Sequence, residues 1–268
     1  MSEVHRAAAQ GFAVAARAYA SGRPDYPGEI VGWLRDALGL SAGRVAVDLG
    51  AGTGKFTPNL LATGADVIAI EPVASMRGQF SASMPQSRVG KSVEQVLRVL
   101  DGTAQAMPLP DASVDAVVCA QAFHWFASHD ALREIHRVLR PGGRLGLVWN
   151  VRDESVDWVA RLTELVAPLE GDAPRFHRGT WREPFDGVLF GALQESVFGY
   201  LHTGSAQEVI IDRFMSVSFI ASLPDAPRVA FESRLRALVE THPALGCSAT
   251  VAFPYQTHAY WCQRLPGV

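Results

Sequence analysis

The chain contains few cysteines and no long apolar run. Its three cysteines, Cys119, Cys247 and Cys262, do not stand in a CxxC or Cys/His spacing, so we expect no metal site. No stretch reaches the roughly 18 uninterrupted apolar residues that a membrane helix needs, and we expect no membrane partner. The alanine-rich start lacks the apolar segment of an export signal, which favours a cytoplasmic protein.

An excess of positive charge is also missing. The 24 basic and 27 acidic residues are scattered along the chain and give a formal net charge of −3. A nucleic-acid partner would require a broad positive surface, so none is expected. Hydrophobic residues make up 48% of the 268 residues, which is typical of a globular protein. The length allows one elaborated α/β domain or two small ones.

Short apolar runs alternate with helical patterns through the first 150 residues. They read RVAVDLG, DVIAIE, LRVLDG, VDAVVCA and RLGLVWN. Short β-rich runs separated by helices predict parallel strands that are covered on both faces, as in a doubly wound sheet. After residue 150 the pattern predicts a strand at ESVFGYLHT, a last strand at PYQTHAYWC, and an inserted helical cap between the core and that last strand.

The stretch VAVDLGAGTGKF at 45–56 predicts a glycine-rich turn between a strand and a helix. A nucleoside triphosphate loop would need glycine where Leu49 stands and a hydroxyl residue where Phe56 stands. A dinucleotide loop would need a third glycine at the position of Lys55. The sequence therefore departs from both patterns.

A carboxylate precedes the glycines instead. Asp48 stands two residues before Gly50, where it would repel a pyrophosphate and attract an ammonium group. Glu71 ends the second apolar run, 21 residues after Gly50, where a carboxylate can accept hydrogen bonds from ribose hydroxyls. The pattern favours a nucleoside ligand that carries an amino group.

These segments resemble the ordered motifs of class I S-adenosylmethionine-dependent methyltransferases. The resemblance covers about residues 10–150 and rests on VDLGAGTG, IEPVASM, DGTAQAMPLPDASVDAV, AQAFHWF and EIHRVLRPGGRLGLVWN. The segments RPDYP, AFHWF and WNVRDES are similar to the small-molecule branch that includes trans-aconitate and ubiquinone-biosynthesis type enzymes. Two departures are an insertion around SRVGKSVEQV and Gln105 in place of an acidic residue.

The resemblance implies a Rossmann-like, doubly wound, seven-stranded and mostly parallel sheet with an antiparallel last strand and a helical cap insertion. Residues 1–268 would form a single methyltransferase domain. Its parts would be an amino-terminal helical lid at 1–40, a cofactor-binding core at 41–150, and a segment at 151–268 that completes the sheet and carries the substrate cap.

The resemblance also implies S-adenosyl-L-methionine as the cofactor. By motif position, the loop after the first strand would contact its methionine part, Glu71 its ribose and the following residues its adenine, while the amino-terminal segment would close over it. The implied cofactor-binding residues are Tyr19, Arg23, Asp48, Gly50, Ala51, Gly52, Glu71, Pro72, Met76, Thr103, Ala104, Gln105, Gln121 and Ala122.

Candidate catalytic residues follow the fourth and fifth runs, at the sheet edge where open α/β folds bind ligands. His124 is interpreted either as a general base or substrate contact, or as a structural residue beside aromatics. Asn150 and Arg152 are further candidates, and Arg152 can either pair with a substrate carboxylate or be a solvated loop charge. In the inserted region, His177, Arg178 and Trp181 are candidates for the substrate pocket or for structural roles.

The expected function is transfer of a methyl group from S-adenosylmethionine to an oxygen, nitrogen or carbon nucleophile of a small molecule, by a monomer or homodimer. Because the cofactor brings its own activated group, few catalytic side chains are needed. The alternative is a protein of the same fold that binds S-adenosylmethionine for non-methylating chemistry or in a regulatory role.

Overall fold

The computed structural model describes residues 23–80, 87–88, 91–92, 96–171, 174–246 and 249–266. Tyr19 and Cys247 lie outside the described residues, as do five of the ten residues of the predicted insertion. Within the insertion, Ser87–Arg88 and Lys91–Ser92 form a short antiparallel pair. In the described part of the chain, no helix combines the length and the apolar character that crossing a bilayer requires.

Seven strands form one sheet in the order β3-β2-β1-β4-β5-β7-β6. Strands β1 to β5 are parallel, and β7 pairs antiparallel with both β5 and β6. This confirms the predicted seven-stranded, mostly parallel sheet with an antiparallel last strand. The strands are β1 Val45–Leu49, β2 Asp66–Ile70, β3 Leu97–Leu100, β4 Val114–Ala120, β5 Leu139–Arg152, β6 Gln194–Gly204 and β7 Val251–Gln263.

Helices follow the strands as the alternating pattern predicts. The first four are α1 Glu29–Leu38, α2 Thr57–Thr63, α3 Ala74–Phe80 and α4 His129–Val138. The cap contains α5 Asp157–Val166, a π-helical stretch Gln207–Asp212 continued by α6 Arg213–Met215, then α7 Ser218–Ala221 and α8 Asp225–Thr241. Short 3-10 turns lie at Phe123–Trp125, Ala167–Leu169, Phe176–Arg178 and Thr180–Arg182.

The central strands are buried on both faces because side chains alternate between two packed layers. Val47 and Leu49 of β1 pack with α4 in one core, whereas Ala46 packs with α1 and α2 in the other. A third core joins the cap helices to the beginning of β7, where Phe253 lies among them. The cap is therefore anchored to the sheet through β7.

A side-chain cap stabilises the start of α4. Ser128 precedes the helix, and its Oγ accepts a hydrogen bond from the Ala131 backbone N–H at 3.2 Å. Asp130 instead pairs with Arg133 on the helix surface. A serine cap satisfies one of the backbone donors that the first turn leaves open.

Asp115 connects three segments at the edge opposite the carboxyl ends of the strands. Its carboxylate accepts hydrogen bonds from the Val45 N–H at 2.8 Å, from Arg44 at 2.9 Å and from Arg140 at 2.6 Å. Burial opposes ionisation, but these donors outweigh it and lower the pKa of Asp115. The carboxylate thus stabilises the start of β1 and β4.

We expect Asp115→Ala to lower the free energy of unfolding by about 1–3 kcal/mol, because the partly buried Val45 N–H loses its acceptor. Urea unfolding measures this. Since the pKa of Asp115 is lowered, its contribution is present above its ordinary value of 3.8 and declines as the pH falls through the folded-state pKa. Asp111→Ala, which breaks an exposed pair with Arg137, is the control and should cost less than about 1 kcal/mol. Equal losses would contradict the assignment.

Candidate functional site

A cavity of about 160 Å³ lies at the carboxyl edge of the sheet, where the strand order reverses between β1 and β4. Ligands of open α/β sheets bind at such a reversal. This first cavity is bounded by the loop after β1 and by the ends of β2 and β4. The predicted residues that line it are Arg23, Asp48, Gly50, Ala51, Gly52, Glu71, Pro72, Met76, Gln121 and Ala122.

The glycine loop allows a close approach between two strands. Gly50 and Gly52 have φ values of +71° and +60°, which residues with a side chain rarely adopt. A Cβ added at Gly50 would lie 2.8 Å from the Cβ of Ala122. Glycine is therefore required where the loop meets the end of β4.

Asp48 provides a buried acceptor at the wall of this cavity. Its Oδ2 accepts a hydrogen bond from the Thr57 hydroxyl at 2.6 Å, whereas no described residue donates to Oδ1. Burial raises the pKa of Asp48 to about 7; the Thr57 bond opposes this rise, and the nearby Glu71 adds to it. A ligand with an N–H or O–H group would satisfy the open oxygen.

Glu71 connects the glycine loop to the end of β2, a role that its position in the sequence does not reveal. Its Oε2 accepts the Gly52 N–H and its Oε1 accepts the Val73 N–H, both at 2.9 Å. Burial raises its pKa despite these two bonds. Each carboxylate oxygen retains a further acceptor position, so a ligand hydroxyl can still bind there.

Three predicted residues do not reach the first cavity. Thr103, Ala104 and Gln105, all of which the structure describes, are absent from its lining. They follow β3, which is two strands away from β1, and Thr103 forms a bridge with Ala106 that folds the turn back on itself. Neighbouring strands lie about 4.8 Å apart, so this turn is displaced by about 10 Å from the glycine loop.

The segment at 23–26 covers the first cavity and is held by two contacts to Asp25. The Lys55 ammonium pairs with its carboxylate at 2.7 Å, and the Asn150 amide donates to its backbone carbonyl at 2.9 Å. The side-chain oxygen Oδ1 of Asn150 in turn accepts a hydrogen bond from the Thr257 hydroxyl at 2.6 Å. Both ends of the Asn150 side chain are thus engaged by the protein, and its catalytic role stays a prediction.

A second cavity of about 160 Å³ adjoins the first. Gln121 and Trp125 lie between the two, and Gln121 has an unusual φ of +56° for a residue with a side chain. The catalytic candidates His124, Asn150 and Arg152 all line the second cavity. The arrangement can hold two ligands side by side, with their contact near the end of β4.

A hydrogen bond from Trp149 determines which ring nitrogen of His124 carries the proton. The Trp149 indole N–H donates to its Nδ1 at 3.0 Å. Burial, together with Arg175 and Arg23, lowers the pKa of His124 to about 3, so the ring is neutral. An indole nitrogen only donates, which places the ring proton on Nε2. This tautomer offers an N–H to the cavity and does not suit the general-base role that the sequence had suggested.

The residues of the inserted region that line the second cavity are not all the ones that the sequence predicts. Trp181 is 1% exposed and packs against Trp149 at a ring-centroid distance of 4.6 Å, so it belongs to the core. His177 lines the second cavity, but Arg178 does not. Two arginines that were not singled out, Arg175 and Arg213, line it as well. Their only sequence signal is a charge beside apolar neighbours in PRF and VIIDRF.

Known proteins are similar to this chain in sequence and in fold. Residues 47–147 match the family described as a methyltransferase domain. An uncharacterized methyltransferase of Mycobacterium tuberculosis is 42% identical over 92% of each chain, and a methyltransferase-like protein of Schizosaccharomyces pombe is 34% identical over 93% of each. The chain belongs to the class I S-adenosylmethionine-dependent methyltransferases. The crystal structure of the YcgJ protein of Bacillus subtilis shares the methyltransferase fold at a TM-score of 0.54, with 20% identity over 88% of this chain and 98% of that one.

Membership of this family implies S-adenosylmethionine as the methyl donor. The first cavity of the methyltransferase fits such a ligand, because the open oxygen of Asp48 needs a donor and the cofactor carries an ammonium group. The backbone at Gly50 leaves room where a side chain would collide.

We expect His124 of the methyltransferase to stay neutral and protonated on Nε2 from pH 5 to pH 8, because its pKa is about 3 and Trp149 occupies Nδ1. Long-range proton–nitrogen NMR spectra of the imidazole report both nitrogens. Trp149→Phe removes the donor that stabilises the neutral ring and should raise the pKa. A wild-type titration midpoint between pH 5 and pH 8, or a proton on Nδ1, would contradict the assignment.

Proposed function

We propose that this methyltransferase transfers the methyl group of S-adenosylmethionine to a small molecule that binds in the second cavity. The observation that carries the proposal is the pair of adjoining cavities, which share Arg23, Gln121, Trp125, Asn150 and Arg213. The first presents an unpartnered buried carboxylate oxygen, and the second is lined by arginine, histidine and aromatic side chains. One cavity would hold the donor and the other the acceptor.

The residues around the first cavity would bind and orient the cofactor. Asp48 would accept hydrogen bonds from its ammonium group, and the backbone at Gly50, Ala51 and Gly52 would pass close to its methionine part. Glu71 would accept from the ribose hydroxyls, with Pro72 and Met76 beside the adenine. When bound, the cofactor supplies a methyl group already activated by a positively charged sulfur.

The segment at 23–26 would exclude water from the reacting groups. Lys55 and Asn150 hold it through Asp25, and Arg23, Pro24 and Tyr26 from this segment line the first cavity. Excluding water strengthens the electrostatic interactions inside a closed site. In this proposal Asn150 acts through the position of that segment and does not touch the reacting atoms.

His124 would donate a hydrogen bond to the substrate and would not remove a proton. Its Nδ1 is occupied by Trp149 and its Nε2 carries the proton, so neither ring nitrogen has a free lone pair. A substrate atom that is already deprotonated, such as a carboxylate oxygen, needs no base. The site therefore suits an anionic oxygen nucleophile better than a neutral amine.

Incubation with methyl-labelled S-adenosylmethionine and a cell extract fractionated by size tests the function. We expect label in compounds below about 1 kDa, lost in Asp48→Ala and kept in Asp36→Ala, which removes an exposed carboxylate on α1. Label in macromolecules alone would contradict a small-molecule substrate. Binding of the cofactor without label transfer to any fraction would favour the alternative, a non-methylating or regulatory protein.

We also expect the affinity for S-adenosylhomocysteine, which keeps the amino-acid group, to fall as the pH drops below about 7. Asp48 becomes protonated in the free protein near that value, and its ionised form is the one that pairs with an ammonium group. The loss approaches tenfold per pH unit. Isothermal titration calorimetry from pH 5.5 to pH 8.5 measures it, and a pH-independent wild-type affinity would contradict the role.

The free protein should show the opposite dependence. Because the folded-state pKa of Asp48 is raised from 3.8 to about 7, the associated stability is fully present below pH 3.8 and is lost as the pH rises through 7. The loss is at most about 4 kcal/mol. Asp48→Asn cannot ionise, so it should flatten the pH dependence of both the affinity and the thermal stability.

A further inference from the structure

The second cavity concentrates positive charge in a protein whose net charge is −3. Four arginines line it, whereas only two carboxylates, Glu154 and Glu170, do so. His124 adds no charge, because its pKa is about 3. The arginines are Arg23, Arg152, Arg175 and Arg213.

Aromatic rings hold two of these guanidinium groups without using their donors. Arg175 lies over the Phe219 ring at 4.7 Å and near the Trp125 ring at 5.8 Å. Arg152 lies over the Phe214 ring at 5.4 Å. A ring face attracts the cation, and the N–H groups in the guanidinium plane stay available for a ligand.

Among the described residues, no carboxylate lies within hydrogen-bond distance of Arg175 or Arg213. The Nε of Arg175 and the Oε1 of Glu170 are 3.7 Å apart, which is too long for a hydrogen bond. Nη2 of Arg175 and Nε of Arg213 are buried and find no acceptor in the part of the chain that the structure describes. A buried donor without an acceptor destabilises a protein, and more so when it is charged.

The cations also repel one another. Burial, Arg23 and Arg152 lower the pKa of Arg213 to about 10, although interaction with Tyr255 opposes the shift. Burial lowers the pKa of Arg175 too; Glu170 opposes that shift, and Arg23 and Arg152 add to it. The free protein thus holds several charges in an arrangement that an added anion would relieve.

We propose that the substrate carries an oxyanion group, a carboxylate or a phosphate, which binds between Arg175 and Arg213. This inference rests on the proposed function and adds the chemical class of the substrate. Planar guanidinium groups form paired hydrogen bonds with either oxyanion. His124 would contribute a neutral N–H to the same ligand, and Arg152 and Arg23 would add charge. Four arginines against two glutamates match a substrate with one or two negative charges.

Binding of simple anions to the protein saturated with S-adenosylhomocysteine tests the inference. The probes are succinate, propane-1,2,3-tricarboxylate and inorganic phosphate, each compared with sodium chloride at the same ionic strength. We expect saturable binding, by calorimetry and as a rise in Tm, for the carboxylates or for phosphate. Which probes bind distinguishes the two sources of the oxyanion, and no response beyond that of chloride to any probe would overturn the inference.

Arg175→Gln and Arg178→Gln form a matched pair. Both remove one positive charge from the same segment, but only Arg175 lines the cavity. We expect Arg175→Gln to weaken anion binding by about tenfold or more, since a charge-assisted bond is lost, and Arg178→Gln to change it less than about twofold. Equal losses in the two variants would show a general charge effect and would contradict the site.

Two further measurements distinguish failure of the oxyanion site from failure of the proposed methyltransferase function. Arg175 does not line the first cavity, so Arg175→Gln should keep wild-type affinity for S-adenosylhomocysteine. Wild-type protein that fails to bind this ligand would count against the proposed function, whereas retained binding without an anion response counts against the oxyanion site alone. In the free protein, Arg175→Gln should have a Tm at or above that of Arg178→Gln, because a repelled cation is removed; a lower Tm would indicate a structural arginine.

Discussion

The Oδ1 atom of Asp48 is a buried acceptor that no described residue satisfies, and the first cavity is built around it. Strand β1 brings this carboxylate to the edge where the strand order reverses. Burial raises its pKa to about 7, so the free protein balances between a protonated and an ionised group. A ligand with a positive charge shifts that balance toward the ionised form, and binding is coupled to proton release.

The two adjoining cavities carry unsatisfied groups of opposite sign. Asp48 lines the first and Arg175 the second, whereas Arg213 lines both. A cationic methyl donor and an anionic acceptor would each relieve the side that it occupies, and their charges would attract each other across Gln121 and Trp125. The strained φ of Gln121 marks the place where they would meet.

Local sequence patterns predict the parts of this molecule that depend on neighbouring residues. The five parallel strands follow from short apolar runs, and the loop from Asp48 and its glycines. The cap of α4 follows from Ser128. The role of Lys55 does not follow from the sequence. Its partner Asp25 lies 30 residues earlier and reaches it only because the amino-terminal segment crosses the loop.

The second cavity is harder to predict because its residues are distant in sequence. Arg213 follows a helical stretch that packs with Phe253 of β7, whereas Arg175 precedes Phe176, which packs against Trp149 of β5. The state of His124 depends on Trp149 from the neighbouring strand β5. Thr103 does not line the first cavity, because it follows β3 at the edge of the sheet, and its contact with the cofactor stays a prediction. In the sequence, Trp181 stands among aromatic and basic residues that would also suit a ligand pocket. Its burial in the core becomes evident only from the packing.

A crystal structure of the complex with S-adenosylhomocysteine at neutral pH tests the central claim most directly. We expect the amino nitrogen of the ligand within about 3.2 Å of Oδ1 of Asp48, with the hydrogen bond from Thr57 to Oδ2 kept. A ligand whose amino group binds elsewhere, with Oδ1 of Asp48 still without a donor, would contradict it.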